Sequence, residues 1–385
     1  MSVTSPPPGA AAHPRPGGRL RNFWQRISEG RQVDELWSQF SSDARASYGF
    51  YMKEADSEQM VNRRGRPRFG RIVKALFWSL VMKLTPVRRV IAVIAFILFF
   101  VPNVNFHARN NVTFDFNLGV ISALIFLLLL ALELADKVTM KRDLEIAREI
   151  QTWLVPSQPP AVAGGDIAFA SRPQNSVAGD YYDAFYPTSS AEENGKVMLV
   201  IADVAGKSIP AALLMATLQA SLRTIAGEGT PLEELVVRLN HYASAHSLDG
   251  RRFTTAVLAE YDPATRRLAY VNAGHNPPIL RRAGGEAEKL EAGGLPLGID
   301  ASASYDTATI ELKSGDALIL YTDGVIEAFN DKAEEFGNDR WLQAIRALPD
   351  WGAQESLQFL MKPVDEFVGF TRQSDDITCL VFRCK

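Results

Sequence analysis

The stretch KVMLVIADVAGKSIPAALLMA, residues 196–216, decides the fold. Its first part, KVMLVIADV (196–204), is nearly all apolar, which predicts a strand buried at the centre of a sheet. The run ends in an aspartate, Asp203, before the turn Val-Ala-Gly-Lys. A carboxylate at a strand end projects into a cleft while the strand behind it fixes its position. Pro210 then opens the helical run PAALLMATLQASLRTIA, since proline is favoured in a first helical turn. Further strands with long helices inserted between them predict a layered α+β domain.

Three other segments repeat the motif of a carboxylate beside glycine or at the end of an apolar run. Asp180 follows Ala178-Gly179 in AGDYYD (178–183), where the backbone can come close to a ligand. Asp323 follows LILYT and precedes Gly324 in YTDGVIEA (321–328). Asp376 opens the last strand in SDDITCLVF (374–382), beside Asp375. A single Asp-Gly is first of all a turn. The set together is what a pair of hard divalent cations needs, since such ions take oxygen ligands and can activate a water for attack on phosphorus. Asp183 and Asp375 are weaker candidates for the same role. Around these motifs, DIAFAS (166–171) and several short runs after residue 252 read as strands. PLEELVVRLNHYASAH (231–246) reads as a helix, and WGAQESLQFLMKPVDEFVG (351–369) as a helix broken at Pro363.

In this order, with these neighbours, the four segments resemble the SpoIIE/RsbU-type branch of the PP2C (PPM) serine/threonine phosphatases, over roughly residues 145–385. The resemblance implies a PP2C-like α/β/β/α sandwich of two antiparallel sheets flanked by helices. It implies catalytic roles for Asp180, Asp203, Asp323 and Asp376, and a metal-binding set of these four with Val204. They would hold two Mn²⁺ or Mg²⁺ ions bridging a water that attacks phosphorus in line, with no phosphoenzyme and so no catalytic Cys or His. The implied substrate is a phosphoserine or phosphothreonine, on a STAS-type anti-sigma factor antagonist of bacterial partner switching. The alternative is a catalytically silent, membrane-anchored binding module of the same fold, against which the retained carboxylates speak.

The chain departs from the family pattern at Ala178, Ala202 and Ser208, where the family carries glycine. The phosphate-gripping arginine of other PP2C branches has no counterpart near the first motif; Arg172 is the nearest, without an assigned role. Gly206-Lys207-Ser208 mimics the end of a P-loop, but residue 201 is Ile where a P-loop needs Gly, so nucleotide binding is rejected. AGHNPP (273–278), GLPLG (294–298) and FTTA (253–256) read as loop and strand architecture.

The remaining chain divides by composition. Residues 1–18 form a Pro-rich tail expected to be disordered, and 19–85 a basic and aromatic segment whose RIVKALFWSLVMK (71–83) suits an interfacial helix. Residues 86–135 hold two apolar runs, VIAVIAFILFFV (90–101) and LGVISALIFLLLLAL (118–132), and predict a transmembrane hairpin. Basic residues flank both runs on the outside, so both termini and the catalytic domain face the cytoplasm, in the inner membrane. Residues 136–156 predict a linker helix with an apolar seam of Met140, Leu144, Ala147, Gln151 and Leu154, which suits a homodimer that carries a signal to the phosphatase domain at 157–385. A net charge of −3 gives no sign of a nucleic-acid partner, and the cysteines, Cys379 and Cys384, suggest no disulfide framework.

Overall fold

The computed structural model describes residues 84–101, 104–107, 113–187, 195–247 and 252–385. The expected disordered tail, the aromatic segment at 19–70 and the interfacial helix at 71–83 lie outside the described residues. The chain divides into a unit ending at Asp136 and a unit Lys137–Lys385.

In the first unit, α1 (Pro86–Phe100) starts with proline at its N-terminus. It stops where Val101 takes an extended conformation (φ −78°, ψ 132°), as a residue before proline must. Val104 and Phe106 do not extend this helix. They belong to β1 (Val104–His107), which pairs antiparallel with β2 (Thr113–Phe116). Apolar residues alternate with polar ones in both segments, the period of a strand and not of a helix. α2 (Leu118–Leu154) follows as one unbroken helix of 37 residues. The second expected apolar run and the linker are therefore continuous in one helix. Small residues join α1 to α2: Ala92, Ala95 and Ser122 are buried, and the Ser122 hydroxyl donates to the Ala95 carbonyl at 2.7 Å. Small side chains let the two helices approach closely. Leu124, Leu127, Leu128 and Leu130 are exposed.

Among the described residues, α2 and α3 (Ser208–Gly227) are long and apolar enough to cross a membrane. α3 is a core helix of the second unit. Together with α4 (Leu232–Ala245) it packs on strands β4 (Asp180–Phe185), β5 (Val197–Val204), β6 (Thr254–Asp262) and β7 (Arg267–Ala273) through Met215, Leu222 and Leu235. That sheet has the order β10-β7-β6-β5-β4, with β10 (Gly293–Gly294) and β11 (Ala308–Glu311) both on β7. The second sheet contains β3 (Gly165–Arg172), β8 (Ile279–Arg281), β9 (Ala287–Lys289), β12 (Ala317–Tyr321) and β13 (Ile377–Cys384), in the order β3-β13-β12-β8-β9. α5 (Asp323–Ile326) is a single turn after β12; α6 (Gly337–Arg346) and α7 (Ala353–Val368) cover the second sheet. The result is an α/β/β/α sandwich. Among the described strands, pairing is antiparallel except for the short β10, which runs parallel to β7.

α7 runs through Pro363 without a break. A proline inside a helix costs about 3 kcal/mol. Burial of Leu357, Leu360, Met361 and Val364 on the sheet contributes about 1.5–3 kcal/mol for each side chain, so packing wins over the local penalty.

Strand alternation fixes what faces the space between the sheets. In β5, Met198, Val200, Ala202 and Val204 face the helices, while Val197, Leu199 and Ile201 face the other sheet. Asp203 continues the inner series. Tyr181 and Phe185 of β4 face the helices and Ala184 faces inward, which turns Asp180 inward too. Leu318 and Leu320 of β12, and Leu380 and Phe382 of β13, are inner residues. The same alternation carries Thr322, Thr378 and Asp376 to the inner side. The central layer is thus apolar along its length and acidic at one end.

Asp183 lies in the opposite series, on the helix side. Its carboxylate is fully buried and receives Arg223 of α3 through Nε and Nη2, both at 2.8 Å. The Tyr181 hydroxyl and the Ala184 N–H complete its partners, and the guanidinium sits 4.0 Å over the Phe185 ring. Asp183 therefore pins α3 to β4. Breaking a buried pair from one side strands a charge. Arg223→Ala should lower unfolding free energy by about 3 kcal/mol or more in denaturant titration. A loss below about 1 kcal/mol, the range of surface pairs, would contradict this role.

Candidate metal centre

Asp180 and Asp203 are direct cross-strand partners, at the start of β4 and the end of β5. From the other sheet come Asp323, just past β12, and Asp376, just before β13. The two sheets are pinned together at this point. Thr322 and Thr378 both donate their hydroxyls to Oδ2 of Asp180, at 2.9 and 2.6 Å. The carboxylate of Asp376 reaches back to the segment before β4: Oδ1 accepts from the Gln174 N–H at 2.6 Å and Oδ2 from the Gly179 N–H at 2.7 Å. Val204 has its side chain in the helix-side core, so only its main-chain carbonyl can be a ligand.

Two glycines allow close backbone approaches beside these carboxylates. A Cβ at residue 324 would stand 1.9 Å from the carbonyl oxygen of Asp376, so only glycine lets Asp323 follow β12 so close to β13. A Cβ at residue 179 would meet the Val204 carbonyl at 3.2 Å and Oδ1 of Asp203 at 3.7 Å. Of the departures from the family pattern, Ser208 alone has a conformational consequence: it takes φ +62°, a region that glycine enters freely and serine does not.

The electrostatics are unfavourable to bare carboxylates. Burial, then the charges of Asp203 and Asp376, push Asp180 well above the usual carboxylate range. Burial and the charge of Asp323 push Asp203 up to about 7. Burial and Asp375 raise Asp323, and burial and Asp323 raise Glu327. Among the described residues no three His, Cys, Asp or Glu side chains converge on one point. Mg²⁺-class ions do not require that, being held through one or two carboxylates with waters completing the shell. An all-oxygen, desolvated and mutually repelling donor set of this kind fits hard divalent cations.

Other polar groups have structural work. His275 of the AGHNPP loop is buried and joins the sheets, with Nδ1 at 2.8 Å from the Thr255 hydroxyl and Nε2 at 3.2 Å from the Tyr321 carbonyl. Burial pulls it down to about 4. Cys379 and Cys384 are buried on opposite faces of the second sheet, and burial pushes the Cys379 thiol up to about 12. Arg172 is held by Asp365. Asp375 pairs with Lys207 at 2.9 Å. Gln151, one of the seam residues of α2, makes an intramolecular contact: its amide donates to the Ala178 carbonyl at 2.8 Å and accepts from the Ala178 N–H at 2.9 Å. Sequence reading missed Thr322, Thr378, Lys207 and this use of Gln151. The threonines had a signal, since they continue the inner series of β12 and β13; the glutamine contact had none.

A family model described as Stage II sporulation protein E (SpoIIE) matches residues 193–385. Asp203, Asp323 and Asp376 lie within it; Asp180 precedes it and joins the cluster through the fold. The phosphoserine phosphatase RsbU of Bacillus subtilis is 30% identical over 189 residues, 49% of this chain and 54% of RsbU. Protein IcfG of Synechocystis is 27% identical over 281 residues, 66% of this chain and 43% of IcfG. The chain spans about half the length of the curated relatives it matches. The SiaA-PP2C domain of Pseudomonas aeruginosa superposes with a TM-score of 0.58 at 22% identity, covering 65% of this chain and 99% of that one. The RsbU and RsbW domains of a Mycobacterium tuberculosis protein give 0.50 at 24% identity, covering 60% of this chain and 62% of that one. The fold is PP2C-like.

The raised Asp203 gives the metal-free protein a pH signature. A carboxyl whose folded-state value exceeds its unfolded value contributes stability at low pH that is lost as pH rises through about 7. A cation at the cluster removes that loss. The gain in melting temperature on adding Mg²⁺ should therefore grow between pH 5.5 and pH 8 in thermal shift assays. A gain that is absent, or constant with pH, would contradict metal binding at these carboxylates.

Proposed function

The chain belongs to the SpoIIE family, and on that premise we propose that it is a metal-dependent phosphoprotein phosphatase acting on phosphoserine or phosphothreonine. The supporting observation is that the strand ends bring Asp180, Asp203, Asp323 and Asp376 to the same, acidic end of the inter-sheet layer. In this reading these four, with the Val204 carbonyl, hold two Mn²⁺ or Mg²⁺ ions. When bound, such ions lower the pKa of water and stabilise charge on phosphoryl oxygens.

The chain's own residues do the rest. Thr322 and Thr378 fix the orientation of Asp180 by bonding to the same oxygen. Asp376 holds the 174–179 segment against the site. A water oxygen bonds to phosphorus as the bond from phosphorus to the serine oxygen breaks, and the proton ends on that oxygen. This reading needs no side-chain nucleophile: both thiols are buried, which raises them, and His275 is committed to Thr255 and Tyr321. The names of RsbU and RsbP as phosphoserine phosphatases support a phosphoprotein substrate. We assign that substrate to the STAS-type antagonists of partner switching, and the chain to the cytoplasmic membrane through α1 and α2.

Loss of one ligand of a two-metal site removes most of the water activation. Asp203→Ala and Asp323→Ala should each lower kcat by at least about a hundredfold with Mn²⁺ in excess and the fold intact by circular dichroism. Near wild-type turnover in either variant would refute the site, and an inactive wild type that still binds its partner would favour the silent module. For the membrane arrangement, the basic flanks and the α1/α2 hairpin motivate a simple expectation. A reporter fused after Asn105 should behave as external and one at Lys385 as cytoplasmic; a cytoplasmic Asn105 fusion would contradict the hairpin.

A further inference from the structure

The mouth of the site is strongly acidic, and a phosphate ester brings further negative charge into it. Beyond the ions that the aspartates would hold, a protein cation at the mouth would favour binding of such a substrate. Three arginines of the surrounding elements are engaged elsewhere. Arg172 is gripped by Asp365. Arg223 is spent on Asp183, on the far face of its sheet. Arg252 lies beneath the 205–206 turn, with Nη1 3.4 Å from the Ala205 carbonyl, in a pocket with Leu214, Tyr242 and Leu297.

Lys207 is placed differently. It stands on the turn between Asp203 and α3, and its side chain is 55% exposed. Its ammonium donates to Oδ2 of Asp375 at 2.9 Å and to the Ser374 carbonyl at 3.1 Å. An ammonium has three donors, so these two contacts leave a third for an incoming oxygen. Its positive charge acts on Asp203, Asp323 and Glu327 and opposes the rise that burial causes in each. It is thus within Coulombic reach of both sheets' contributions to the site.

We propose that Lys207 is the phosphate-gripping residue of this chain, poised by Asp375 and Ser374 to donate to a phosphoryl oxygen of the substrate and of the phosphate product. The inference rests on the phosphatase reading above. Lysine acts here as a point charge on a flexible stem, where an arginine would offer a planar fork. The contribution of Lys207 lies in binding and in neutralising the transferring group. Asp375 then serves as the group that positions Lys207.

The test uses the full chain in detergent, saturated with Mn²⁺, with a phosphoserine peptide as substrate and inorganic phosphate as inhibitor. Lys207→Gln should raise KM and the inhibition constant for phosphate by about tenfold, the worth of one charge-assisted hydrogen bond, with a smaller effect on kcat. Lys207→Arg should recover most of the loss. If Lys207 only neutralises carboxylates, Lys207→Gln will shift the Mn²⁺ titration and leave phosphate inhibition unchanged at saturating metal, which overturns the proposal. A wild-type chain without Mn²⁺-dependent hydrolysis overturns the phosphatase reading itself, and this assignment with it.

Discussion

Two threonine hydroxyls from one sheet end on a single carboxylate oxygen from the other. Thr322 and Thr378 on Asp180 Oδ2 are the contact on which the site depends, because every other site residue is placed relative to it. Asp203 is the cross-strand partner of Asp180, Asp323 follows Thr322 in the chain, and Asp376 lies two residues before Thr378. A sandwich whose inner layer is apolar along its length must end somewhere. In this chain the polar end of that layer is gathered into one cluster. The cost is charge repulsion in a desolvated place, visible in the raised Asp180, Asp203 and Asp323. Lys207 offsets part of that cost, and cations held there would offset the rest, so in this account the instability of the bare cluster and an affinity for cations have one physical origin.

Much of this was legible in the sequence because strand alternation is a strong signal. KVMLVIADV reads as a strand with an aspartate at its end, and β5 covers it. The glycines after Asp323 and before Asp180 were readable as points of close approach, which the steric contacts of Gly324 and Gly179 bear out. The sandwich itself came from family resemblance, since pattern alone does not tell which sheet a short strand joins. Tertiary context decided the rest. Pro363 breaks a helix in isolation but not one with four large side chains packed on a sheet. Asp183 looks like Asp180 in the sequence, yet three residues along a strand turn it to the other face, where Arg223 meets it. Lys207 was seen as the remnant of a P-loop because a motif is judged by what it lacks; only the fold brings it to Asp375, 168 residues away.

The long helix joins two kinds of chemistry in one element. Its first half is apolar and faces outward around a small-residue contact with α1. Its last turn carries Gln151, whose amide clamps the peptide of Ala178, two residues ahead of Asp180. The apolar seam read from the sequence is therefore not simply a surface for a second helix, since one of its members is bonded within the chain. Ile146, Ile150 and Trp153, on another stripe of the same helix, are exposed.

The central claim is that these aspartates form a two-cation site, and counting bound ions tests it most directly. Isothermal titration of Mn²⁺ into the metal-free protein at neutral pH should give two ions per chain, with at least one lost in Asp203→Ala. Fewer than two ions per chain, or a stoichiometry that Asp203→Ala leaves unchanged, would contradict the account.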